Sequence, residues 1–197
     1  MPTARESLLE AAGAALSARP WPAVRMVDVA AAAGVSRQTL YNEFAGKTGL
    51  GHALVRRDAA WYLDGVDRAL ASTGASAERL AAVVEWTGRA AGERALVRAL
   101  LTGCWNGNLP VPAGRGVRPG LPALGPAELV RAVRERADAA FAPGEGAVRC
   151  ELAVRLALSY LIAPADRPGP GSAALLQLLG PSGGTGLSVP SPRAGAR

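Results

Sequence analysis

The stretch Val35-Ser36-Arg37-Gln38-Thr39-Leu40-Tyr41-Asn42-Glu43-Phe44 gathers side chains that hydrogen-bond to flat polar edges. Arg grips guanine through two hydrogen bonds, Gln or Asn does the same with adenine, and a Thr methyl meets the thymine methyl. Leu40 and Phe44 stand four residues apart and, with Val35, form an inward stripe. Arg37, Gln38, Thr39, Tyr41 and Asn42 are then left on or near the outside of a short helix. The Ser36 and Tyr41 hydroxyls and the Lys47 ammonium suit phosphate oxygens, Lys47 with help from the free N–H groups at the start of its own helix. A surface of this kind positions itself on phosphates and takes its specificity from bases.

Other chemistry finds little material. His52 is the single histidine, and with Cys104 and Cys150 as the two cysteines no metal-ligand spacing results. Both thiols read as reduced, buried small hydrophobes; a redox sensor would need them exposed and of low pKa. The chain carries no nucleophile elbow and no phosphate loop, so an enzyme is the weaker of the rival readings, and no cofactor is expected.

The elements that must position the polar face are helices. Thr3 and Glu6 fit a capping box opening a helix over 3–17, in which Leu8, Leu9, Ala12, Ala15 and Leu16 form one stripe. Pro20 and Pro22 prevent its continuation. Helices over 26–33 and 36–44 meet at a tight corner, where Gly34 suits a left-handed C-cap and Ser36 an N-cap. This is a helix-turn-helix. A longer helix over 47–71 follows, with Leu50, Leu54, Trp61, Val66 and Leu70 as buried positions. Further helices are expected over 76–91, over 93–105 with Cys104 on its apolar face, over 127–142, over 147–163 and over 172–179. No strand and no repeat is evident. Gly and Pro concentrate in 106–126, read as a flexible connector, and in 164–197, read as a weakly ordered tail apart from 172–179.

Composition agrees with a folded helical protein. Of the 197 residues 49% are hydrophobic and 19% charged, enough apolar material for a sizeable core. The net charge of +6 is spread along the chain, so the motif rather than the charge carries the nucleic-acid inference. No run has the roughly 20 apolar residues of a membrane helix, and the N-terminus lacks the build of a signal peptide; a cytoplasmic protein is expected.

Through AGVSRQTLYNEFAGKTGL at 33–50 and the apolar helix before it, the sequence resembles the tetracycline-repressor (TetR) family of bacterial one-component regulators. Likeness is close over residues 4–50 and extends beyond them only in helical layout and length. The resemblance implies an all-α fold: a three-helix DNA-binding head over 1–46 and a helical effector-binding and dimerisation body over 47–163. It implies a double-stranded operator, a homodimer and a small apolar or amphipathic effector as partners, and a repressor released by ligand. Trp86, Leu100, Leu101, Cys104, Trp105 and Phe141 become candidates for the effector site, although for each taken singly core packing is the commoner role. The family's dimer is usually a four-helix bundle of the last two helices, which points to Leu152, Leu156, Tyr160, Leu175 and Leu179. Two residues depart from the pattern. Glu43 stands where a His is common and is expected to turn toward an Arg or backbone partner, or to accept from a cytosine amino group. Arg25 stands where a capping Thr is common, and there a cation can add a phosphate contact. The remaining rival is a helical scaffold dimer that does not bind DNA.

Overall fold

The structure, a computed structural model, describes residues 2–112, 125–141 and 147–162. Among these, eight α-helices occur and no strand: α1 (Ala4–Ala18), α2 (Met26–Ala32), α3 (Arg37–Phe44), α4 (Lys47–Leu70), α5 (Ser76–Glu93), α6 (Ala95–Thr102), α7 (Pro126–Ala140) and α8 (Ala147–Ile162). A 3-10 turn at Trp21–Ala23 links α1 to α2.

Helices α1 to α3 pack on one another and on the start of α4. Leu8, Ala12, Val24, Val29, Leu40, Phe44 and Leu50 close their common core, all buried. With 24 residues, α4 runs about 36 Å and carries the chain from this head into the body. There α4, α5 and α8 form the main contacts, with α6 and α7 against them. Leu54, Tyr62, Val66, Leu80, Val83, Leu100, Leu129, Cys150 and Val154 fill the interior. No helix among the described residues is long and apolar enough to cross a membrane.

Two close approaches shape the body. The indole of Trp86 lies against α4 where Gly65 has no side chain, and its Nε1–H donates to the Tyr62 carbonyl at 2.9 Å. The buried Tyr62 hydroxyl is 3.0 Å from Thr87 Oγ1, which itself donates to the Val83 carbonyl. Both buried hydroxyls are thus satisfied, as burial requires. At the seam with the head, the carboxylate of Asp58, 5% exposed, accepts from Arg94 at 2.9 Å, and Arg94 also stacks on Trp61 with its guanidinium carbon 3.8 Å from the ring centre.

Several expectations require correction. The helix foreseen over 93–105 ends at Thr102, because Gly103 turns left-handed (φ 72°). Cys104 and Trp105 therefore leave the helix, and Cys104 is exposed rather than buried. The connector foreseen as flexible from 106 begins with a docked piece: the Asn108 carbonyl accepts from the Trp21 N–H at 2.8 Å, and Pro110 is buried against Gly51. The segment 172–179 lies outside the described residues.

Candidate nucleic-acid interface

The corner before the polar helix is built from local hydrogen bonds. Gly34 takes φ 67°, a conformation costly for a residue with a Cβ. Its N–H reaches the Ala31 carbonyl and that of Val35 the Ala30 carbonyl, both at 3.1 Å, the paired bonds of a Schellman ending. Ser36 then caps α3, its Oγ accepting from the Thr39 N–H at 3.0 Å. Leu40 and Phe44 turn inward as expected, while Val35 is half-buried.

What remains of α3 faces outward. Arg37, Gln38, Tyr41 and Asn42 are exposed and Thr39 is half-buried. The exposed residues are organised as pairs one turn apart. Gln38 Nε2 donates to Asn42 Oδ1 at 2.9 Å, and the Arg37 guanidinium lies over the Tyr41 ring, 5.4 Å from its centre. Each pair keeps a forked amide or guanidinium in a defined direction and so lowers the ordering cost of meeting a base edge. α3 is short, polar on one side and anchored on the other, the shape that enters a major groove.

The expected phosphate ligands are less free than the sequence suggests. Lys47 Nζ donates to the Pro22 carbonyl at 2.9 Å and stands 5.4 Å from the centre of the Trp21 ring, leaving part of its three-donor capacity for an anion. Arg25 occupies the N-cap position of α2 without capping it. Its Nε and Nη2 instead hold the two oxygens of Asp28 at 2.9 and 3.0 Å. These bonds, chiefly, lower the Asp28 carboxyl below its ordinary range. The Arg25 side chain is nonetheless 72% exposed, and Nη1 makes no hydrogen bond among the described residues. Glu43 turns to an arginine, as one of its expected alternatives had it: Arg5 Nη1 lies 3.4 Å from Oε2.

Sequence reasoning did not single out Arg5 or Trp21. Arg5 sits 38 residues before its partner, and no local pattern links them. Trp21 is buried where the loop after α6 meets the head, a contact no local spacing announces.

The effector candidates are not brought together. Leu100 and Leu101 are buried in the core, and Trp86 lines a shallow depression with Arg68 and Arg89. Phe141 lies beneath Arg79, whose guanidinium carbon is 4.4 Å from the ring centre, and Trp105 is half-buried. Cys104 borders a separate groove of about 660 Å³ between the end of α1, α6 and the end of α8. Among the dimer candidates, Leu152 is exposed and Leu156 half-buried. The Tyr160 side chain, Leu175 and Leu179 lie outside the described residues.

Comparison with known proteins places this geometry. Residues 8–54 match the family described as bacterial regulatory proteins, tetR family. The HTH-type transcriptional regulator AlkX of Mycobacterium tuberculosis is 44% identical over 66 residues, which cover 34% of this chain and 31% of that protein. The match thus spans under a third of the relative's length. Among solved structures, the TetR family repressor AlkX from a Dietzia species superimposes with a TM-score of 0.55 at 20% identity, covering 89% of this chain and 93% of that one. FadR of Bacillus subtilis, solved with stearoyl-CoA, does so at 0.52 and 13%, covering 88% and 96%. The sequence likeness to tetR-family regulators covers residues 8–54, the head, and the structural likeness shows that the chain shares the fold of these repressors.

Proposed function

We propose that the chain is a sequence-specific DNA-binding transcriptional regulator, acting in the cytoplasm as a homodimer on a pseudo-palindromic operator and released from it by a small ligand. The observation that carries the reading is the exposed, pre-paired face of α3, with Arg37, Gln38, Tyr41 and Asn42 held outward by the Gly34 and Ser36 corner. A single head makes few phosphate contacts; two heads about a two-fold axis double them and read half-sites about 34–36 Å apart, or a multiple of that turn.

The far side of α8 supports the dimer. Val148, Leu152 and Ile162 are 64%, 59% and 65% exposed, while Cys150, Ala153, Val154 and Ala157 face the core. The three exposed residues fall within an arc of about 80° at 3.6 residues per turn, which the exposed Arg155 and Ser159 share, so a second copy would meet apolar side chains interleaved with polar ones. For the effector, the groove bordered by Cys104 combines Leu16, Leu109 and Ile162 with Arg19 and Arg98, a lining for a ligand with an apolar body and an anionic end. Such a ligand releases DNA only by favouring a head spacing that misfits the operator.

The test selects duplexes from a randomised library with the purified protein and titrates them against scrambled duplex. Gln38→Ala should lower discrimination by about 1–3 kcal/mol on the selected site while leaving scrambled duplex unaffected. Unchanged discrimination would remove α3 as the reading helix.

A further inference from the structure

Arg5 lies outside the helix-turn-helix, in the first turn of α1, yet it makes three contacts with the last turn of α3. Its guanidinium carbon stands 4.6 Å from the centre of the buried Phe44 ring. Nη1 donates to the Glu43 carbonyl at 3.2 Å and faces Glu43 Oε2 at 3.4 Å. The carbonyl is one of those a helix end leaves without an intrahelical partner, and a cation there also opposes the negative end of the helix dipole. The stacked guanidinium therefore fastens the carboxyl end of α3 to α1.

Glu43 gives the contact a second meaning. It is exposed on the same short helix as Gln38 and Asn42. A duplex carries one phosphate charge per roughly 1.7 Å of axis, so an unpaired carboxylate at its surface opposes binding. Among the described residues Arg5 is the cation that meets Glu43, and the pair is open to solvent at 44% and 37% side-chain exposure.

We infer that Arg5 is a positioning residue of the DNA site: it fixes the end of α3 and cancels the charge of Glu43, which lets an acid stand on the reading helix. The inference rests on the DNA-binding reading above. It assigns Arg5 no phosphate contact: Nη1 and one face of the guanidinium are committed to α3.

The test is a double-mutant cycle on duplexes selected by the wild-type protein, read by fluorescence anisotropy at several salt concentrations. Arg5→Gln should weaken binding about 10-fold, the scale of one charge-assisted contact. Glu43→Gln alone should change affinity less than about 2-fold, because its charge is already cancelled. The double variant should recover the share of the loss owed to the bare carboxylate, making the two effects non-additive, and the slope of log affinity on log salt should stay at its wild-type value in all four proteins. Two results overturn the inference: additive single effects, or a slope reduced by roughly 0.9 in Arg5→Gln, which would make Arg5 itself a phosphate contact. Should Arg5→Gln not fold, Arg5→Lys takes its place in the cycle, keeping the charge but losing the planar fork. Because Lys keeps the charge, a loss under about 3-fold that Glu43→Gln leaves unchanged then supports the inference, and a loss of about 10-fold or more overturns it. If the wild-type protein selects no duplex at all, the DNA-binding reading fails and takes this one with it; selection followed by an additive cycle fells this one alone.

Discussion

The corner between α3 and α4 places two adjacent residues in positive-φ conformations that both favour glycine, yet only one of them is glycine. Ala45 closes α3 at φ 55°, ψ 10°, the one non-glycine with positive φ among the described residues, and Gly46 opens α4 at φ 130°, ψ −173°. The left-handed region costs a residue with a Cβ roughly 1–2 kcal/mol. Ala45→Gly removes that strain and loses no packing, because Ala45 is exposed. It pays about 0.5–1 kcal/mol in unfolded-chain entropy, for a net gain of about 0.5–1 kcal/mol. Gly46→Ala is the mirror case. No atom lies within 4 Å of the added Cβ, so the penalty is purely conformational. The region Gly46 occupies costs other residues about 1–3 kcal/mol, offset by under 1 kcal/mol from the stiffer unfolded chain. For a domain of this length each kcal/mol moves the melting temperature by roughly 2–4 °C. Thermal melts followed by circular dichroism should therefore rise about 1–4 °C for Ala45→Gly and fall several degrees for Gly46→Ala. Equal melting temperatures, or shifts of the opposite sign, would refute the backbone assignment at this corner and with it the angle at which α3 is held.

The thiols should differ in reactivity: Cys104 is exposed, whereas burial pushes Cys150 up to about 11. Ellman's reagent at neutral pH should count one thiol per native chain and two in denaturant, and two fast native thiols would contradict the packing of α8. Burial also raises Tyr62, to about 12, so the folded chain holds both protons longer than the unfolded one. The stability they contribute is complete below the ordinary thiol value of 9 and is lost as pH rises through the folded values, at about 1.4 kcal/mol for each pH unit between ordinary and folded pKa as an upper bound. Urea midpoints unchanged from pH 8.5 to 11 would show that neither group is buried. Leu152→Asp sets a charge on the exposed face of α8 and should convert dimers to monomers on light scattering; a persistent dimer would move the interface elsewhere.

The contacts that close within four residues were legible beforehand. Thr3 and Glu6 exchange the two bonds of a capping box at 3.2 and 2.7 Å, Gly34 ends α2 left-handed, and Ser36 caps α3. Each depends on residue type and spacing alone, because donor and acceptor belong to the same turn. The inward stripe of α3, and hence its outward polar face, follows from the same 3.6-residue period. The end of α6 was misread although Gly103 was visible, because an apolar stripe through Leu100, Leu101 and Cys104 continues in sequence past the point where the backbone turns away. Contacts between distant segments had no local sign. Arg5 meets Glu43, Trp21 meets Asn108, and Trp86 fills the space beside Gly65 only once α1, the loop after α6 and α5 have docked. Side-chain type states what a residue can bond; which partner it finds across the chain is settled by how the apolar faces of separate helices pack, and that packing is a property of the assembled core.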